Sequence, residues 1–199
     1  MKPLLIYDTE IVAAIPPRKG GMLDGIRYCG GWRDFAGMGI STLCAFDEAE
    51  GRYRVFCQDN LSEFAALAKE RTVVSFNGLA FDDKLCQANG IDVHTDYDIL
   101  VEVWAAVGLG PEFDVRTHGG YGLDALLKAN DLPAKSGHGE SAPIMWQQGK
   151  RGAVIDYCLN DVHLTRRLLD CVIFSRKLIS PKTGEPLTLR PLVDGTDRG

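Results

Sequence analysis

The chain has no surplus of positive charge. Its 27 aspartates and glutamates outnumber 22 lysines and arginines, a net charge of −5, which excludes a protein that gathers nucleic acid on a broad basic surface. If it meets a polyanion, the attraction has to be local. No apolar run approaches the ~18 residues of a membrane span, and the stretch from Leu4 to Tyr7 is too short for a signal-peptide core. A soluble, cytoplasmic protein with no membrane partner is expected. The six cysteines, Cys29, Cys44, Cys57, Cys86, Cys158 and Cys171, form no C-x-x-C pair and have no histidine at zinc-finger spacing. Scattered, reduced, buried thiols are the expectation. The glycine-rich stretch 19–39 contains neither G-x-G-x-x-G nor G-x-x-x-x-G-K followed by Ser or Thr, so a nucleotide cradle is excluded. Internal repeats and low-complexity segments are absent as well.

What is present is an ordinary globular composition over 199 residues, 45% apolar and 25% charged, with 8 Phe, 6 Tyr and 3 Trp. The length predicts one domain over 1–199, its core ending near 174 and a short hairpin and tail filling 175–199. Residues 3–8 form a short apolar run suited to a buried strand. The span 16–39, with two prolines and seven glycines from Gly20 onward, predicts a long loop. Strands are predicted at 40–46 and 53–57, joined by a polar turn, and at 72–76. Helices are predicted at 60–70, 81–89, 99–107, 121–130 and 152–174, with an extended piece at 93–98, a loop over 131–148 and a hairpin around 182–184. Alternating strands and helices imply an α/β fold with a mixed sheet.

Three segments place acids on or beside apolar elements. Asp8 and Glu10 stand two apart at the end of the first strand, on one side of it. Asp82 follows a strand-to-helix turn in Asn77-x-x-x-Phe81-Asp82. Tyr157 and Asp161 are four apart in the last helix and so share a face. Four acids gathered at one sheet edge repel unless a divalent cation neutralises them, which predicts a metal site. Taken singly, each piece has an ordinary explanation: strand-end solubilisers, a helix cap, a half-buried aromatic and its exposed neighbour.

In this order, D-x-E, N-x-x-x-F-D and Y-x-x-x-D resemble the three motifs of the DEDD superfamily of 3′–5′ exonucleases. The tyrosine branch fits, as in family B DNA polymerase proofreading domains and related stand-alone exonucleases. The histidine branch wants histidine five residues before the last acid, where Asp156 stands. The resemblance covers residues 4 to about 174 and implies a ribonuclease H-like mixed β-sheet flanked by helices. It also implies that Asp8, Glu10, Asp82 and Asp161 hold two Mg²⁺ or Mn²⁺ ions with Asp8 bridging, while Tyr157 orients the attacking water. Asp83 adjoins Asp82 and is the alternative ligand at that position.

The expected activity is hydrolysis of phosphodiester bonds from the 3′ end of a single strand. DNA is favoured over RNA by the resemblance alone, and replication or repair proteins are possible partners. An exoribonuclease, and a module that binds nucleic acid or a replication partner without cutting, are the alternatives. Asn77, Trp32, Lys135 and Lys150 are candidate substrate contacts. Arg27, Tyr28, Trp32 and Arg33 mix stacking and phosphate-binding side chains in the glycine-rich loop, a combination used to hold single strands. Asp96 and Asp98 are expected to organise a turn, and His94, His118, His138 and His163 to be ordinary surface or core histidines.

Overall fold

Leu4–Ile11 forms β1, buried along its length except at half-buried Asp8. In the computed structural model, which describes residues 2–133, 139–175 and 177–192, this strand is the centre of a five-stranded sheet. β1 runs three residues past the expected end at Asp8. The extension rests on backbone pairing to β2 (Ile40–Asp47), with Glu10 opposite Thr42 and Ile11 opposite Ile40 across a bulge. A short helix, α1 (Phe35–Met38), immediately precedes β2, and β3 (Arg52–Phe56) pairs antiparallel on its outer side. Helix α2 (Leu61–Ala68) leads to β4 (Thr72–Ser75), which lies parallel to β1. Helix α3 (Asp82–Ala88) leads to β5 (Tyr97–Asp98), parallel to β4. The resulting order β3-β2-β1-β4-β5 is a mixed sheet, as the ribonuclease H-like expectation requires.

Alternation along β1 sorts its side chains onto two faces. Leu4 and Ile6 join Cys44, Phe46 and Val74 in a core against α7 (Arg151–Ser175), whose Cys158, Val162 and Leu168 complete it. Leu5 and Tyr7 join Leu43, Ala45, Phe56 and Val73 on the opposite face, against Phe64 of α2 and Leu85 of α3. The same parity sends Asp8 and Glu10 toward α7, and Thr9 toward α3. Buried positions on α7 recur at Val154, Tyr157, Cys158, Asp161, Val162, Thr165, Leu168 and Val172, the stripe that lets a helix lie on a sheet.

Helices α4 (Ile99–Ala106) and α5 (Leu123–Ala129) cover the β5 side, and the expected terminal hairpin is present as β6 (Lys177–Ile179) and β7 (Pro186–Thr188). Leu178 and Leu187 are packed into the α7-side core. The expectation of a loop over 131–148 needs correction: its described part contains a 3-10 turn, Gly139–Ser141, and helix α6 (Ala142–Gln147). Pro143 sits in the first turn of α6, where the missing N–H has no helical partner to lose. The glycine-rich span is likewise held at defined points: Ala14 bridges to Tyr28, and Asp34 caps α1 by accepting from Gly37 N. All six cysteines are free, four buried and two half-buried. Among the described residues no helix is long and apolar enough to cross a membrane.

Candidate functional site

β4 pairs with β1 only from Leu4 to Ile6, whereas β1 continues to Ile11. The unpaired edge opens a cleft of about 1090 Å³ beyond the end of β4, where β1 has an antiparallel neighbour on one side and loses its parallel one on the other. Ligand sites in open α/β sheets favour this kind of place. Asp8, Glu10, Asn77, Asp82, Tyr157 and Asp161 all line it.

Oxygens of Asp8, Glu10 and Asp161 lie within 4.8 Å of one another. Glu10, Tyr157 and Asp161 are buried and Asp8 is half-buried. The geometry follows from two periodicities, since a two-residue step on β1 and a four-residue step on α7 point into the same corner. The Cys158 thiol donates to the Asp8 carbonyl at 3.4 Å, which ties α7 to β1 directly behind the carboxylates. The donor set suits a hard divalent cation, because oxygens on opposite sides of an ion bound at 2.0–2.4 Å stand roughly 4–4.8 Å apart.

Asp82 is not in that group of three. It reaches the cleft from the other face of β1, where its Oδ1 accepts the Thr9 N–H at 3.1 Å and also the Thr9 hydroxyl. Burial pushes its carboxyl up to about 7, with the charges of Asp83 and Asp98 adding to the rise and the Thr9 hydrogen bonds opposing it. A cation nearby favours the anionic form again. Asp83 does different work, turned away from the cleft to accept from Tyr7 Oη, Thr95 N at 2.8 Å and Thr95 Oγ1 at 2.7 Å.

The turn that delivers Asp82 is tightly specified. Asn77 adopts φ 69°, a left-handed conformation that Asn tolerates better than most residues. At Gly78 an added Cβ would stand 2.2 Å from Ser75 Oγ, so only glycine fits. Asp98 accepts from Asn77 N at 2.9 Å and Leu79 N at 3.1 Å while capping α4 through Leu100 N and Val101 N. Asp96 accepts from Val73 N at 2.9 Å. Both acids therefore organise backbone.

Of the candidate substrate contacts, Asn77 and Trp32 line the cleft, with Trp32 57% exposed. Lys150 is exposed on the turn before α7, outside the lining, and Lys135 lies outside the described residues. Tyr28 lines the cleft, whereas Arg27 and Arg33 are exposed elsewhere on the same segment. Arg18 and Lys19, which sequence reasoning missed, do line it. Their place after Pro16-Pro17 was the available signal. His118 is buried beside Trp104, His94 and His163 are exposed, and His138 is outside the described residues.

Among solved structures, the chain resembles a family B DNA polymerase. That protein, from the hyperthermophilic archaeon Pyrobaculum calidifontis, matches with a TM-score of 0.56 and 17% identity over 94% of this chain. The likeness is one of fold, and the chain spans about a quarter of the polymerase, 26% of its length. No family model matches the sequence, and no curated protein matches it.

Proposed function

We propose that the chain is a metal-dependent 3′–5′ exonuclease that removes nucleotides from the 3′ end of single-stranded DNA. The observation that carries this reading is the convergence of Asp8, Glu10 and Asp161 within 4.8 Å, in a cleft that also holds Tyr157 and Asp82. Its support from outside the site is a fold like part of a DNA polymerase.

In this reading Asp8, Glu10, Asp82 and Asp161 would hold Mg²⁺ or Mn²⁺. Such ions lower the pKa of water and stabilise both the entering and leaving oxygens of an in-line displacement. The protein's part is placement. β1 and α7 fix three carboxylates from the core outward, Thr9 holds Asp82, and the Tyr157 hydroxyl orients the attacking water. Trp32 offers a stacking face to an unpaired base, a contact indifferent to sequence. Local binding of this kind suits a chain with net charge −5, because bound divalent ions offset the acids where the strand enters.

The test is a cleavage assay on 3′-labelled and 5′-labelled DNA and RNA oligonucleotides with Mg²⁺, Mn²⁺ or EDTA, run beside Asp8→Ala. Metal-dependent shortening from the 3′ end of DNA, lost in the variant, is expected. Cutting in EDTA, or full activity in Asp8→Ala, would sink the mechanism. Faster loss of RNA would reassign the substrate, and tight binding without cleavage under any metal would make the chain a binding module.

A further inference from the structure

We infer that Gln147 is a positioning residue that pins the glycine-rich wall to the rest of the cleft, and that the wall so held sets affinity for a strand longer than one nucleotide. The substrate half of this inference rests on the nuclease reading above; the tether does not.

Gln147 is the last residue of α6 and half-buried. Its Nε2 donates to Val12 O at 2.9 Å and to Arg27 O at 3.1 Å, and its Oε1 accepts Arg27 N at 2.7 Å. Two carbonyls demand donors and one N–H demands an acceptor, so the amide has a single orientation that satisfies all three. One side chain thereby joins the chain just beyond β1, the glycine-rich segment and α6. Arg27 O also accepts Ala14 N at 3.0 Å, and Cys29 N donates to Ala14 O at 2.9 Å. The stretch from Arg18 to Leu23 is exposed on one side of the knot, while on the other Cys29 is buried in the core and Asp34 caps α1.

From this knot the segment carries Arg18 and Lys19 on one side and Trp32 on the other, each lining the cleft. Cations with an aromatic face are the elements that grip single strands. The carboxylates and Tyr157 stand on β1 and α7 instead, which the core fixes without help from Gln147. Loosening the knot should therefore weaken the hold on a long strand and leave the reacting centre intact.

The experiment compares wild type, Gln147→Ala and Gln147→Glu with Mn²⁺ on two substrates, a single-stranded DNA oligonucleotide and the p-nitrophenyl ester of thymidine 5′-monophosphate, which is too short to reach the wall. In Gln147→Ala, KM for the oligonucleotide should rise about tenfold with kcat within about twofold, while hydrolysis of the ester stays at the wild-type rate. Gln147→Glu should behave at least as badly, since it sets an oxygen against two carbonyls. An equal loss on both substrates, an unchanged KM, or a wild-type Gln147→Glu would overturn the inference. Amide hydrogen exchange reads the tether alone: Cys29 N–H, which bonds Ala14 and not Gln147, should exchange faster in both variants, and acceleration confined to Arg27 would overturn it. Wild type that cuts neither substrate overturns the nuclease reading and the substrate half with it, and the exchange result still decides the tether.

Discussion

Asp82 takes the place of a missing strand at Thr9. Where β4 stops, the Thr9 N–H would face the cleft without a sheet partner; the Asp82 carboxylate accepts it at 3.1 Å and accepts the Thr9 hydroxyl as well. The residue between the two acids of D-T-E is thus the link that brings the second motif's acid, from the opposite face of β1, to the same opening.

Replacing Thr9 with valine keeps the shape and removes the hydroxyl donor. A hydrogen bond to a carboxylate contributes about 1.5–3 kcal/mol, so a loss of stability of about 2 kcal/mol is expected, together with roughly tenfold lower nuclease activity as Asp82 loses its anchor. Urea unfolding and the oligonucleotide assay measure the two effects. Wild-type values in both would show that the contact contributes nothing.

Metal binding has a readout independent of catalysis. A ligand at about 100 times its Kd stabilises the folded state by about 2.7 kcal/mol, worth ~5–10 °C in a chain of this size. Mn²⁺ should raise the melting temperature by that order, EDTA should reverse it, and Asp8→Ala or Asp161→Ala should abolish it. Asp83→Ala is the contrasting variant. It strands the Tyr7 hydroxyl and the Thr95 N–H and leaves the Thr95 hydroxyl only Ser75, so it should lower stability by about 2–4 kcal/mol and keep the Mn²⁺ response. Loss of that response in Asp83→Ala with the fold intact would exchange the roles assigned to the two neighbours.

Much of the grouping at this site is legible in the sequence, for physical reasons. Asp8 with Glu10 and Tyr157 with Asp161 obey the two simplest side-chain periods, so their grouping needed only the right assignment of strand and helix. Asp82 was legible as a residue, but its route was not, because a hydrogen bond around the end of β4 has no hydrophobic pattern. Helix α6 was invisible for a related reason. Pro143 and the surrounding glycines carry breaker signals, and the helix is held by packing on α7 and β1, where Pro143 is buried. The end of β1 depended on β2 as a partner, and a single segment cannot announce its partner.

Asp47 gives the fold an acid-sensitive joint far from the cleft. Burial alone would raise its carboxyl, but Arg71, donating from Nε at 2.9 Å and Nη2 at 3.3 Å, holds it below the ordinary carboxylate range. A lowered folded pKa means the unfolded chain takes up the proton first, so this stability is fully present above the unfolded value near 4 and is lost as pH falls through the lower folded one. Arg71→Met, which leaves the buried carboxylate with the Ala49 N–H at 3.1 Å and Arg54 at 3.8 Å, should cost about 2 kcal/mol at pH 7. The gap from wild type should narrow as the solution is acidified below pH 4. Urea unfolding at a series of pH values checks this, and a constant gap down to pH 2 would mean that Asp47 is not the titrating group.

On the proposed reading, a Tyr157 variant distinguishes holding metal from using it. Its ring is buried on the same face of α7 as Asp161 and its hydroxyl borders the cleft, where a Cβ at Gly139 would come within 3.3 Å of it. Phenylalanine keeps the ring and removes only the hydroxyl, so α7 should pack as before. If that hydroxyl orients the attacking water, Tyr157→Phe loses a contact that matters mainly in the transition state, and kcat should fall about 10²-fold with KM nearly unchanged. The Mn²⁺-induced rise in melting temperature should persist, because no carboxylate has been removed. A variant that loses the metal response as well would place the hydroxyl in the metal site itself, and one that retains full kcat would leave the water to be oriented by a neighbouring acid.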